Sequence, residues 1–477
     1  MLDRRVIRDL ERQVDSPHVY ARAADLAAYA YDAWGASGER HLPDAVVFPA
    51  TTAEVAGVVE VCAFYGLPII PRGAGTGYAA GAVPARGGVV VALVRLNSIL
   101  ALEAEALRLH AEAGVVTGAI HERAARAGLY YPPDPGSSTT CTIGGNVACN
   151  AAGPHTLRYG TTADYVAGLT AVLADGKIIR LGEGGDGGAA ELLSLLNGSE
   201  GTLAVITEVV LRLLPAPSAR ATLAATFTSL ERASAAVAEI ASAGIVPAAI
   251  EFLDAGALAA VRRAIGGNIG GDAAALVIVE VEGDQPGVEA DADAVHTAAT
   301  RAGATGVERA SDPRDAARLW AARKAVSAAV ARVMIGKVNE DVVVPRDRMA
   351  ELVAFTADLG HQHNMPVVNF GHLGDGNLHA TFLIDPRIPG ERDRADQAAG
   401  DLFEIVLRMG GSLSGEHGVG QAKLAYVERQ LGADSIELMR RIKSGLDPLG
   451  LLNPGKKFPG QTSPAGSADL SAKYAIR

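Results

Sequence analysis

Residues 367–384 read VVNFGHLGDGNLHATFLI, two alternating runs joined through Asp375 and Gly376, with one histidine on each side of the join. An Asp-Gly pair between alternating runs is the strongest short-range hairpin signal, because the left-handed backbone of a type I′ turn suits that dipeptide. Counting outward from a two-residue turn sets His372 directly opposite His379. Side chains so opposed hold their Cβ atoms about 4.5 to 5.5 Å apart, near enough for two imidazoles to share one cation. The spacing predicts a metal site. The alternative is a pair of hydrogen-bonded core histidines with no ion.

A third ligand is offered by GGSLSGEHGVG, where Glu416 and His417 stand side by side between glycines. Two histidines and one carboxylate leave positions open, which is a catalytic arrangement; a closed structural site would use four protein ligands.

Elements must position these groups. At 477 residues, 49% of them apolar, the chain is too long for one core, and two or three domains are expected. A net charge of -11 argues against nucleic acid, whose binding rests on clustered Lys and Arg, and for a small-molecule partner. Cys62, Cys141 and Cys149 form no C-x-x-C pair, which fits a reducing compartment. The start, MLDRRVIRDLERQV, is charged and helical, and no apolar run is long enough to span a membrane, so a cytoplasmic protein is expected.

Residues 1–42 read as an N-terminal helical segment and residues 43–217 as an α+β domain. In the latter, a helix opened by Thr51 and Thr52 leads to the strand Leu67 to Ile70, and a second Asp-Gly hairpin centres on Asp175 and Gly176. PAPSAR, residues 215–220, is the linker candidate. Residues 218–459 read as a second domain: ATLAATF, a capping-box helix from Thr228 to Glu231 onward, and VPAAIEFL make one β-α-β unit. The strand Leu276 to Val281, helices near 312–332 and 346–361, and the histidine hairpin complete it, and the polar tail 460–477 is expected to be disordered.

The first domain has chemistry of its own in PRGAGTGYAAGA, residues 71–82, directly after a strand. Consecutive glycines let backbone N–H groups converge on an anion, and Arg72 adds a positive charge. It is no dinucleotide fingerprint, since Tyr78 stands where the third glycine belongs, and alone it reads better as a plain strand-to-loop turn. A second loop, PPDPGSSTTCTIGGNVACNAAG at 132–153, and a third, GSEGTLAVIT at 198–207, change that reading. Loops of this kind can wrap a long diphosphate cofactor from several sides. Gly450 to Lys457 nearly spells a phosphate loop, but Lys457 replaces the magnesium-holding hydroxyl.

Together these segments resemble a known family. PRGAGTG, PDPGSSTTCTIGGN and GSEGTL are similar to the FAD-binding domain of the vanillyl-alcohol oxidase/p-cresol methylhydroxylase (PCMH) flavoproteins. GHLGDGNLH, GEHGVG and NPGKKFP resemble the C-terminal domain of the branch holding D-lactate dehydrogenases, the glycolate oxidase D subunit and D-2-hydroxyglutarate dehydrogenase. The resemblance implies an α+β fold: a PCMH-type FAD-binding domain of two α/β subdomains, then a FAD-linked oxidase domain with an antiparallel sheet covered by helices. By matching positions, it implies that Pro71, Arg72, Gly73, Ala74, Gly75, Thr76 and Gly77, with Pro135, Gly136, Ser137 and Ser138, hold the diphosphate of a noncovalent FAD. Thr142, Ile143, Gly144, Gly145 and Asn146, with Gly153, would line the flavin; Gly201, Thr202 and Ile206 would meet the adenine half, and Asn453 is a further cofactor contact. His372, His379 and Glu416 match metal ligands, His417 the catalytic base and Asn377 a substrate-facing position. His155 departs from the family pattern, which leaves its contact with the flavin open.

In DAARLWAARKAVSAAV, Trp320, Arg323 and Ser327 share one helix face. Arg323 matches the arginine that binds the substrate carboxylate, and Lys337 is a second cation. The implied reaction oxidises a D-2-hydroxyacid, D-lactate or glycolate being favoured, to the 2-oxo acid: a divalent metal acidifies the hydroxyl, His417 takes its proton and hydride passes to flavin N5. Zinc is favoured, with iron or manganese open. The alternatives are D-2-hydroxyglutarate or a longer acid, a noncatalytic flavin-binding subunit of a larger complex, and a metal-dependent hydrolase. No iron-sulfur motif is present, so electrons would pass to a quinone, a cytochrome, an electron-transfer flavoprotein or an iron-sulfur subunit, placing the protein peripheral to the inner membrane in some of these cases. A homodimer is left open.

Overall fold

The computed structural model describes residues 2–34, 41–183, 190–266 and 269–459; the tail expected to be disordered lies outside the described residues. The first domain is two small sheets with helices between them. A four-stranded sheet orders Val19–Tyr20, Ala45–Val47, Val89–Ala92 and Ile69–Arg72, the last three parallel to one another. The N-terminal segment thus contributes an edge strand as well as the helix Arg4–Val14. A five-stranded antiparallel sheet orders Ile99–Glu103, Arg108–Glu112, Val205–Arg212, Val166–Val172 and Ile178–Gly182. Between them the helix Thr52–Tyr65 starts where the sequence places it, with the Thr51 side chain accepting from the Glu54 N–H. Val55, Val58, Val59 and Cys62 of that helix are buried among the valines of both sheets.

The linker is short. Leu214–Pro215 still pairs with Leu129–Tyr130, and Ala219 already begins the first strand of the second domain. That domain is a seven-stranded antiparallel sheet ordered Gly306–Arg309, Ala219–Phe227, Ala275–Gly283, Ala249–Asp254, Val367–His372, Asn377–Ile384 and Gly336–Val343. The expected β-α-β unit is present, with the Ala275–Gly283 strand inserted between its two strands. Its helix is capped by Ser229, whose hydroxyl accepts from the Arg232 N–H, one residue beyond the expected Thr228. Helices cover both faces. Ala249–Asp254 shows the alternation that this requires: Ile250 and Phe252 enter one apolar layer, while Leu253 enters the other, under the helices Ala255–Ile265 and Pro313–Val333.

The histidine hairpin differs from its expected register. His372 pairs with Asn377 and Phe370 with His379, so Leu373 to Gly376 form a four-residue loop. Gly376 is left-handed at φ 82° but Asp375 is not, which excludes a type I′ turn, since that turn needs both central residues left-handed. The Asp175-Gly176 turn repeats the pattern, with only Gly176 left-handed at φ 85°. The slip at the hairpin is two positions, and because strand side chains alternate with period two, both histidines keep a common face. They are diagonal neighbours rather than direct opposites. After the helix Ala433–Leu446 the chain returns to the first domain, where Leu451 and Leu452 join its core and the Asn453 N–H bonds Ile69 O at 2.7 Å. Among the described residues no helix is long and apolar enough to cross a membrane.

Candidate active site

On the hairpin's polar face, His372, His379 and Glu416 bring ligand atoms within 4.8 Å of one another. Glu416 Oε1 lies 3.6 Å from His372 Nε2 and 3.4 Å from His379 Nε2. His417 stacks on His379, ring centroids 5.2 Å apart, and on its other side lies Tyr78, at 5.0 Å. Tyr78 belongs to the first glycine loop, so a residue of the first domain packs on His417 of the second. Lys337 Nζ lies 5.4 Å from the centre of the Tyr78 ring.

Two buried acids hold the loop that carries Glu416 and His417. Asp341, on the strand beside His379, accepts at Oδ2 from the Ser414 hydroxyl and from the backbone N–H groups of Gly415, Glu416 and His417, all at 2.9 to 3.0 Å. Its Oδ1 accepts from Asn377 Nδ2 at 2.6 Å, and its carbonyl from Lys423 Nζ at 2.7 Å. A side chain at Gly415 would collide with Asn377, its Cβ falling 1.8 Å from Nδ2, so glycine is required there. The far end of the loop is held by Glu200 of the third glycine loop, which accepts from the Val419 and Gly420 N–H groups at 3.0 and 2.6 Å. The loop is therefore pinned from both domains.

The charges fit a cation. His372 Nε2 and Glu416 Oε2 are buried without a hydrogen-bond partner, at a cost of about 1–3 kcal/mol each unless something takes them. Burial alone would lower His372, yet Glu251 on Nδ1 and Glu416 near Nε2 hold it well above its ordinary range. Burial likewise opposes ionisation of Glu416, and the two histidines still carry it well below its ordinary value. A pocket that favours positive charge this strongly, with two histidines and a carboxylate converging, suits a divalent ion. His417 behaves oppositely: burial, only partly offset by Asp341, pushes it down to about 4, so its imidazole is neutral at neutral pH.

The three glycine loops touch one another. A Cβ on Gly73 would fall 2.2 Å from Thr142 Oγ1, and one on Gly201 3.2 Å from Pro71 Cγ. The third loop joins the second through Gly198 N–H to Val147 O at 2.9 Å and Glu200 N–H to Ala148 O at 2.7 Å. Asn453 ties the first to the third, its Nδ2 donating to Gly81 O and Glu200 O. Gly77 and Gly136 are exposed, and a Cβ on either meets no protein atom within 4 Å, while Thr142 Oγ1 and Asn453 Oδ1 are buried without partners. Backbone amides, open glycine faces and unclaimed polar atoms suit a dinucleotide such as FAD. Gly77→Val fills that opening without touching the protein core. We expect it to weaken FAD binding roughly tenfold or more, about 1.4 kcal/mol, read as flavin absorbance per chain after dialysis, with the apoprotein's melting unchanged.

Other expected residues also make contacts within the protein. Arg72 lies against the first glycine loop, where a Cβ on Gly75 would fall 2.2 Å from its Nη2, and it also donates to Tyr31 O at 2.8 Å and lies over the Tyr29 ring. Asn146 donates to Thr117 Oγ1 at 2.6 Å, inside the first domain. Gly144 and Gly153 are packing glycines, where a Cβ would fall 2.5 Å from Ala113 Cβ and 2.3 Å from Asp134 O. His155 is held by Tyr130 OH and Pro132 O and faces Glu280 across the domain junction at 3.6 Å. Trp320 Nε1 donates to the same Glu280 at 2.9 Å, and Arg323 pairs with Glu251. Lys456 and Lys457, of the false phosphate loop, donate to Val83 O and Gly198 O as structural ties. Tyr78, Asp341, Glu200 and Glu251 were not singled out by sequence reasoning.

Comparison with known proteins agrees with this geometry. Residues 43–182 match the FAD binding domain family, and residues 216–457 match the family of FAD linked oxidases, C-terminal domain. The chain is 36% identical over 449 residues to glycolate oxidase subunit GlcD of Bacillus subtilis, covering 94% of this chain and 95% of that one. It is 34% identical over 480 residues to D-2-hydroxyglutarate dehydrogenase of Xanthomonas citri, covering 97% and 99%. D-lactate dehydrogenase of Anaerostipes hadrus is 34% identical over 424 residues, covering 87% and 89%. The solved structure of p-cresol methylhydroxylase with substrate bound has the same fold, with a TM-score of 0.78 at 17% identity, over 95% of this chain and 96% of that one. With both domains matched in order along the chain and relatives aligned nearly end to end, this protein belongs to the FAD-linked oxidase family of PCMH-type flavoproteins.

Proposed function

We propose that the protein is an FAD-dependent dehydrogenase that oxidises a small D-2-hydroxyacid, D-lactate or glycolate, to the 2-oxo acid. One observation supports this most: a neutral histidine, His417, stands between a cation-favouring triad and Tyr78 of the first glycine loop. When bound, FAD supplies a two-electron acceptor, and a divalent ion on His372, His379 and Glu416, zinc ahead of iron or manganese, supplies a Lewis acid. His417 Nε2, 3.9 Å from Glu416 Oε1, faces the triad and is the atom that takes the hydroxyl proton. Arg323 has its Nε on Glu251, which leaves its terminal amino groups for the substrate carboxylate, and Lys337 adds the second cation. Two fixed cations and one base define which face of C2 is presented, hence the D enantiomer. Asn377, its Nδ2 committed to Asp341, offers its buried and unpartnered Oδ1 to the same site.

Electrons must then leave by a partner: a quinone, cytochrome, electron-transfer flavoprotein or iron-sulfur subunit, reached from the cytoplasm or the inner-membrane surface. Burial pushes the Cys62 and Cys149 thiols up to about 12, which disfavours a thiolate at either position. The test is a panel of D- and L-2-hydroxyacids mixed anaerobically with the yellow protein. D-lactate or glycolate should bleach the flavin while L-lactate leaves it oxidised; a flavin untouched by every 2-hydroxyacid overturns the reading.

A further inference from the structure

Glu251 lies in the middle of the Ala249–Asp254 strand with no solvent exposure, and its one carboxylate serves two different elements. Oε1 takes His372 Nδ1 from the residue directly across in the neighbouring strand, and Oε2 takes Arg323 Nε from the Pro313–Val333 helix. The guanidinium is further fixed over the Phe370 ring, 5.0 Å from its centre, and Phe370 is the register partner of His379. A carboxylate this deep persists only when paired, and both oxygens of this one have a cationic or N–H partner.

We propose that Glu251 is the positioning residue that joins the cation site to the carboxylate-binding arginine, an inference that rests on the functional reading above. A histidine's free nitrogen is decided by the hydrogen bond that the other nitrogen makes. Glu251 on Nδ1 fixes the Nδ1–H tautomer of His372 and presents Nε2, the unpartnered atom, toward Glu416. The same carboxylate holds Arg323 by the one nitrogen that a bidentate contact through the terminal amino groups does not use. Metal and substrate carboxylate are thus placed relative to each other through a single rigid strand, which a pair of independent salt bridges would not achieve.

Glu251→Gln is the informative variant, because an amide keeps the volume but cannot accept from both His372 and Arg323. FAD-loaded, metal-stripped wild type and variant are titrated with Zn2+ by calorimetry. The variant should bind about 10–100-fold more weakly with undiminished flavin absorbance. At saturating Zn2+ its KM for the D-2-hydroxyacid found in the panel should rise more than kcat falls. Equal Zn2+ affinity in the two proteins overturns the inference alone, whereas a wild type that binds no divalent ion overturns the functional reading beneath it. Should the variant lose FAD or fail to fold, a Zn2+-loaded wild-type crystal decides. Zinc on His372 Nε2 with Nδ1 still on Glu251 supports the proposal, and zinc on Nδ1 or directly on Glu251 overturns it.

Discussion

His417→Ala is expected to lower turnover by a factor of about 10² to 10⁴ while FAD and metal content stay at wild-type levels. The size follows from the role: a positioned base removes the hydroxyl proton as the C2 hydrogen departs, and water in a closed pocket replaces it poorly. The selectivity follows from geometry. The His417 backbone N–H belongs to the Asp341 set, so the loop is held without the imidazole. The three groups proposed to hold the metal are other residues, and Tyr78 of the first glycine loop meets His417 through its ring face. His417→Gln, which fills more of the space between Tyr78 and His379, separates lost packing from lost base: it should be as inactive as alanine but closer to wild type in melting temperature. Near-normal turnover in either variant, with cofactor and metal bound, would remove His417 from the mechanism.

Much of this site was legible because its chemistry is concentrated in glycine-punctuated segments. The histidine hairpin tolerated an error in turn type: a two-residue slip keeps every side chain on its face, so His372 and His379 converge although neither opposes the other. A one-residue slip would have dispersed them. The supporting acids were written less plainly. Glu251 in AAIEFL and Asp341 in NEDVVV each interrupt an apolar strand, and an acid at a core position is a signal for a buried partner. Which partner cannot be read from a strand, because His372 and the Gly415 to His417 amides arrive from distant parts of the chain. Tyr78 registered only as a departure from a dinucleotide fingerprint, and its stacking depends on how the two domains meet. Arg72 is the converse case: a cation beside a glycine nest suggests an anion, and its further partners, the Tyr31 carbonyl and the Tyr29 ring, come from a segment the nest does not announce.

Asp341→Ala should be the most damaging single change in the second domain. One carboxylate oxygen takes the Ser414 hydroxyl and three consecutive backbone N–H groups, and burial, which would raise its pKa, is overridden by His417, Lys423 and His379. Alanine strands those donors in a dry site, while the Lys423 ammonium keeps the backbone carbonyls of position 341 and Leu413 and has Glu340 at 3.8 Å but loses the Asp341 carboxylate at 4.0 Å. Breaking a buried charge network in this way costs about 3–5 kcal/mol, and the loop carrying Glu416 and His417 loses its template. Activity and metal binding should vanish together and the melting temperature of the holoprotein should fall, whereas His417→Ala removes only the first. Asp341→Asn should be milder, because the introduced amide oxygen can still face the three N–H groups. Its NH2 then confronts Asn377 Nδ2, and the conflict is relieved if Asn377 turns its unpartnered Oδ1 inward, giving up its bond to Val342 O at 3.2 Å. The asparagine variant is therefore expected to fold with FAD bound and to lose metal affinity less than the alanine variant does. Alanine and asparagine variants of equal stability and activity would show that the loop holds its own shape, and that the Asp341 carboxylate only neutralises charge.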